Sequence, residues 1–276
     1  MTMDSKSSIV SENKAPIDSP ITYMCVADVR KNTSGTWTFT STDGSKALIQ
    51  SKNDKYAPTL FFDDAGTNLE VLGVEYVEFK AENEKPCIVS IHKNGTLNNA
   101  ASSLDVLLTN TTLEEGDKVI FPEGEYTLPM TLPLDKSITI QGAGQDKTII
   151  KGAILVNGSA NNTATDVKIK GLSIDYTPTK VTSGKCTPII EVTGNADLLI
   201  DNCIMNNNTQ GYGDRKNPNP AEALQNAILL GATAKGTVRV ENTTINLAAN
   251  AQSGVLIDGE LTDVSLVNTK IEGQVN

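Results

Sequence analysis

Short runs in which apolar and polar residues alternate fill most of this chain, and almost nowhere does the spacing of an amphipathic helix persist. Between residues 21 and 96 the runs TWTFT, TLFFDDAGTNLEVLGV and VEYVEFKAENEKPCIVSIH are broken by turn residues such as STDGSK. A period of two with Asp, Gly and Asn at the breaks predicts hairpins, and hence a small antiparallel β-sandwich-like domain. The preceding residues 1–20 carry Ser and Pro but no apolar core and read as a flexible leader. Residues 97–116 read as a linker followed by a short capping helix, with Ser102 or Ser103 at its N-cap.

From residue 117 to 276 the pattern repeats. VKIKGLSI from Val167, LLIDNCIM from Leu198, VRVENTTI from Val238 and VSLVNTKI from Val264 superimpose, each alternating apolar residues up to an Asn or Gly. A second motif is interleaved: AILVNG from Ala153, PIIEVTGN from Pro188, NAILLGAT from Asn226 and GVLIDG from Gly254. The motifs are constant while the connections between them vary in length. Such short β-runs cannot bury their apolar side chains alone, so the repeat predicts a solenoid whose rungs stack about 4.8 Å apart. The last rung runs out at KIEGQVN with nothing after Ile271 to cover it, which predicts end-to-end self-association through that exposed parallel edge.

Composition narrows the chemistry. With 23 Lys+Arg against 33 Asp+Glu and a net charge of -10, the surface does not gather phosphates, so nucleic acid is a poor partner. Hydrophobic residues at 38% are too many for a disordered acidic chain, and no unbroken apolar stretch is long enough to cross a bilayer. A single histidine, His92, lies outside the repeats and reads as a strand-end residue rather than a general base. The cysteines Cys25, Cys87, Cys186 and Cys203 have no CxxC spacing, which disfavours zinc and thioredoxin-type chemistry. Cys203 shares an inward register with Leu172, Thr243 and Thr269 and reads as a core thiol; bridges from Cys186 to Cys203 or from Cys25 to Cys87 are left open. Sequons at Asn32, Asn94, Asn110 and Asn242 bear on glycosylation only in a eukaryotic secretory pathway.

The run LEEGDKVIFPEGEYTLPMTLPLDKSITIQGAGQDKTIIKG resembles the opening rungs of the pectin-lyase-like right-handed parallel β-helix superfamily, and the later repeats resemble its middle rungs. The resemblance covers about residues 105–276 and implies an all-β protein: a right-handed parallel β-helix preceded by the antiparallel domain. It also implies an inward ladder of Asn202, Asn242 and Asn268 at one bend, interrupted by Gly171. The polygalacturonase-like motifs NTD, GHG and RIK are missing, and the one notable acid pair, Asp63-Asp64, sits in a hairpin turn of the first domain.

Alternation assigns the outward columns of the repeats. One holds Lys170, Asp201, Glu241 and Val267, and it places Asp201 and Glu241 on adjacent rungs. Two carboxylates so close share a proton, bind a cation such as calcium, or are neutralised by Lys170 and Arg239. The longest connection, NNNTQGYGDRKNPNPAEALQ, offers Tyr212 to stack on a sugar, Asp214 to accept hydroxyl hydrogen bonds, and Arg215 with Lys216 to hold a uronate carboxylate. The neighbouring strand face adds Glu191 and Asp258. A lyase of this superfamily needs an Arg or Lys base, for which Arg215, Lys216 and Lys185 are the candidates.

Three readings follow. The first is an extracellular or surface-exposed module that recognises a polysaccharide or cell-surface glycan without turnover, its natural secretion signal not being part of this chain. The second is a calcium-assisted uronate lyase, and the third a structural or adhesive solenoid of a surface or phage-fibre protein.

Overall fold

A computed structural model describes residues 23–29, 35–41, 46–51, 56–62, 74–81, 87–93, 97–101, 103–104, 107, 111–128, 131–160, 163–176, 181–182, 185–207, 226–247, 253–260 and 263–273. The chain divides into two compact units, residues 1–122 and 123–276. Among the described residues no helix is long and apolar enough to cross a membrane.

The first unit is antiparallel. Strands β1 (Tyr23–Val29), β2 (Gly35–Ser41), β3 (Lys46–Ser51), β4 (Tyr56–Phe62) and β5 (Val74–Ala81) form a β1–β4 pair and a sheet of order β3-β2-β5. Strands β6 (Ile88–Ile91), β7 (Leu97–Ala101) and β8 (Asp117–Phe121) follow, with β6 antiparallel to both others. The stretch read as a linker thus carries a strand, which Asn98 and Asn99 conceal by breaking the apolar alternation. Leu104 and Leu107 are buried on a helical turn, Leu107 N donating to the Ser103 carbonyl at 3.1 Å.

The second unit is a parallel β-helix. Its strands are β9 (Gly124–Thr127), β10 (Leu132–Leu134), β11 (Ile138–Gly142), β12 (Thr148–Lys151), β13 (Ile154–Asn157), β14 (Thr165–Lys170), β15 (Ser173–Tyr176), β16 (Val181–Thr182), β17 (Lys185–Cys186), β18 (Ile190–Thr193), β19 (Ala196–Asp201), β20 (Ile204–Asn207), β21 (Ile228–Leu230), β22 (Thr237–Glu241), β23 (Thr244–Leu247), β24 (Val255–Ile257), β25 (Asp263–Val267) and β26 (Lys270–Gly273). Apart from the small β16–β17 hairpin they stack into three parallel faces. The orders are β10-β13-β18-β21-β24, β11-β14-β19-β22-β25 and β9-β12-β15-β20-β23-β26, so successive rungs in sequence are neighbours in space.

Inward columns of branched aliphatic residues make the core: Ile140, Ile169, Ile200 and Val240 on the second face, Ile150, Ile174, Met205 and Ile245 on the third, Leu134, Val156, Val192 and Leu230 on the first. Each buried side chain of this size contributes about 1.5–3 kcal/mol relative to exposure. A polar substitution in any column would break two rung interfaces at once.

The turn between the second and third faces is made the same way in four rungs. Gly171, Asn202, Asn242 and Asn268 take left-handed φ values of 61°, 53°, 49° and 48°. Asn is, after Gly, the residue that tolerates this region best, which is why the repeat carries either at this point. Contrary to the expected inward ladder, the three asparagine side chains are exposed, and Gly171 makes the bend as the asparagines do. The inward position is the next residue: Leu172, Cys203 and Thr243 are buried there, and Thr269 is half-buried. Thr243 Oγ1 donates back to the Glu241 carbonyl at 2.6 Å, and Thr269 Oγ1 to the Val267 carbonyl at 3.1 Å. Cys203 Sγ repeats the contact on the Asp201 carbonyl at 3.2 Å. After each left-handed asparagine a hydroxyl or thiol thus adds a second donor to a carbonyl that already accepts a backbone amide of the preceding rung, as Asp201 does from Gly171, Glu241 from Asn202 and Val267 from Asn242.

Candidate functional site

Two outward surfaces of the second unit carry the polar side chains singled out in the sequence. On the second face the columns run Lys168, Leu199, Arg239, Ser265 and Lys170, Asp201, Glu241, Val267, as alternation requires. Asp201 and Glu241 are register partners on adjacent strands. Each carboxylate is engaged: Asp201 Oδ1 accepts from Asn242 Nδ2 at 2.9 Å, and Glu241 is ion-paired with Arg239 two residues earlier on its own strand. Asn268 Nδ2 then donates to Asn242 Oδ1 at 3.3 Å. The bend thus bears an exposed amide ladder that starts at an aspartate.

A second ladder lies on the third face. Asn206 Nδ2 donates to Asp175 Oδ1 at 2.5 Å, and Asn246 Nδ2 to Asn206 Oδ1 at 2.7 Å. It has the same polarity as the first: an aspartate accepts, and each following amide donates toward the preceding rung. Strand register puts Asp175, Asn206 and Asn246 in one column, which alternation alone does not show to be bonded. Earlier on this face Lys151 Nζ lies 2.6 Å from Glu125 Oε2, and that hydrogen bond with the accompanying charge attraction holds the lysine above its ordinary value.

The first face differs. Its outward strand columns are Leu155, Glu191, Leu229, Leu256 and, beside them, Asn157, Thr193, Gly231, Asp258. Leu155, Leu229 and Leu256 are half-buried, forming an aliphatic stripe that Glu191 interrupts; Asn157 and Asp258 are exposed beside it. Thr193 Oγ1 donates to Asn157 Oδ1 at 3.3 Å. Among the described residues neither Glu191 nor Asp258 has an ion pair or side-chain hydrogen bond. The two acids stand in different columns and on different rungs, so this face does not bring them together as a catalytic pair.

Tyr212, Asp214, Arg215 and Lys216 lie outside the described residues. Lys185 lies on β17, paired with Thr182 across the hairpin, and its side chain is likewise outside them. No group of three or more His, Cys, Asp or Glu side chains among the described residues is placed to hold a metal ion.

Two features off these faces complete the picture. Cys203 is a free, buried thiol, so it does not form the bridge to Cys186 left open in the sequence, and burial pushes its thiol up to about 12; Cys87 is buried in the first unit. In the first unit His92 stands just past the end of β6, with Nδ1 3.0 Å from Oδ1 of the buried Asp117. Asp117 Oδ2 also accepts from the Glu114 amide at 2.8 Å, which ties the strand end to the preceding turn.

No protein-family model matches the chain, and no curated protein or solved structure matches it either. The fold defines the class, a parallel β-helix.

Proposed function

We propose that the protein is an extracellular or surface-exposed β-helix module that recognises a polysaccharide on its first face, without turnover. One observation carries the reading. The carboxylates of the amide ladders, Asp175 and Asp201, accept from asparagine side chains, whereas among the described residues no side chain engages Glu191 or Asp258 on the first face. An aliphatic stripe flanked by hydrogen-bonding side chains, repeated at the rung spacing of about 4.8 Å, suits a pyranose chain with its apolar ring faces and hydroxyl edges. The resemblance of the rungs to the pectin-lyase-like superfamily supports the same substrate class, and Tyr212, Asp214, Arg215 and Lys216 are the residues we would place on its sugars.

The test is a glycan array and affinity electrophoresis with the full chain across neutral and acidic polysaccharides, beside Glu191→Gln and Asp258→Asn. Selective binding that either substitution weakens supports the reading. Silence on every glycan, or binding indifferent to both substitutions, rejects it. Ultraviolet absorbance of an unsaturated uronate product, abolished by EDTA and by Arg215→Ala, would identify the lyase instead.

A further inference from the structure

One glycine on the first face is required neither by packing nor by the backbone. A Cβ at Gly158, Gly194, Gly236 or Gly259 would stand 2.4–2.6 Å from backbone atoms of a neighbouring rung, so those positions admit nothing larger. Gly231 is different. Its φ lies outside the left-handed region, and a Cβ there would meet the Val192 carbonyl oxygen at 3.4 Å and Thr193 Cγ2 at 3.6 Å, ordinary van der Waals contacts. It stands in the outward column between Thr193 and Asp258, where it leaves a notch one side chain deep. Glu191 reaches the rim of that notch, with Oε1 3.9 Å from the place a Cβ would take. Asp258 borders it on the following rung. Among the described residues no side chain engages either carboxylate, and the outward strand positions of this face hold no lysine or arginine.

We infer that the glycan bound on this face carries free amino groups and that the Gly231 notch seats one of them; the inference rests on the reading of this face as a polysaccharide site and narrows its class. Charge complementarity selects this occupant. With a pyranose ring laid on Leu229 and Leu256, an amino group projecting from its edge enters the notch between Glu191 and Asp258, where an ammonium offers three donors to two carboxylates. A uronate in the same place would set a third carboxylate beside those two. A hydroxyl or an acetamide would cover Glu191, already half-buried, without neutralising it. On the preceding rung the same column is filled by Thr193, whose hydroxyl donates to Asn157, so that rung offers no such seat.

Isothermal titration calorimetry of the full chain tests this with oligomers of glucosamine, of N-acetylglucosamine and of galacturonate, matched in length. The glucosamine oligomer should bind at least about tenfold more tightly than its acetylated counterpart, and the galacturonate oligomer more weakly than either. Glu191→Gln and Asp258→Asn should each weaken the glucosamine oligomer by about threefold or more and leave the acetylated one unchanged. Gly231→Thr, which repeats the residue of the preceding rung, should fill the notch and remove the preference for the amine. Asp146→Asn removes a charge from an exposed turn between the second and third faces and should change nothing. Urea unfolding checks that each variant is folded; if Gly231→Thr does not fold, the two carboxylate variants decide. A loss from Asp146→Asn equal to theirs would mark non-specific attraction to a chain of net charge -10, and would overturn the inference. So would a preference for the amine that Glu191→Gln, Asp258→Asn and folded Gly231→Thr all leave intact. Binding confined to glycans without free amines would overturn it and leave polysaccharide recognition standing, whereas silence toward every glycan would reject both.

Discussion

The bend bearing Asn202, Asn242 and Asn268 and the face bearing Glu191 are built from the same repeat, yet they use polar residues in opposite ways. At the bend, polar side chains serve the backbone and one another: asparagine accepts the left-handed φ, Thr243 and Cys203 donate to the carbonyls two residues before them, and Asp201 anchors the ladder. On the first face Glu191 and Asp258 serve nothing described in the chain. Polarity on a solenoid surface is therefore no guide to function until it is sorted by whether the chain itself consumes it.

The largest effect expected from breaking this contrast is at the bend. Replacing Asn202 or Asn242 by Ala should cost about 1–2 kcal/mol in denaturant unfolding, because alanine keeps the left-handed Cβ but lacks the short polar side chain that lets asparagine tolerate this region. Glycine separates the two roles. Asn202→Gly should be close to neutral, because no side-chain hydrogen bond is described for Asn202, whereas Asn242→Gly should lose about 0.5–1.5 kcal/mol with its bonds to Asp201 and Asn268. Equal losses at both sites would remove the distinction between backbone and ladder.

The inward side of the bend gives a pH-dependent effect. The Cys203 thiol ionises at 9.0 when unperturbed and at about 12 in the fold, because burial disfavours the thiolate. Its contribution is complete below pH 9.0 and is lost progressively as pH rises toward about 12, since there the unfolded state holds fewer protons than the native one. Cys203→Thr, which installs the residue of the next rung, should fold, keep the bond to the Asp201 carbonyl, and flatten this alkaline decline relative to the parent. An unchanged slope would mean that the thiol is not what titrates.

The smallest effect is predicted on the first face. Glu191→Gln and Asp258→Asn should leave stability within about 0.5 kcal/mol, as expected for surface groups with no side-chain partner among the described residues. A loss near that of Asn242→Gly would show that these acids are structural, and the contrast between the two regions would collapse.

Much of the scaffold was legible in the sequence because alternation fixes direction. Columns such as Lys170, Asp201, Glu241 and Val267 are read from spacing alone, and the inward Cys203 likewise. What periodicity cannot report is rotation at a bend. Asn202, Asn242 and Asn268 align in sequence, but a left-handed φ turns their side chains outward where an extended strand would continue the alternation. Nor does it report which neighbour a polar group chooses. Glu241 takes Arg239 on its own strand, and β7 hides behind two asparagines.

The stacking order of the rungs also sets how the molecule yields to force. Because β24, β21, β18, β13 and β10 follow one another in space in reverse order of sequence, a pull applied beyond Gly273 detaches one coil while those beneath keep their contacts. An unfolding machine threading the chain from that side would meet a staircase of small, similar barriers instead of one global barrier.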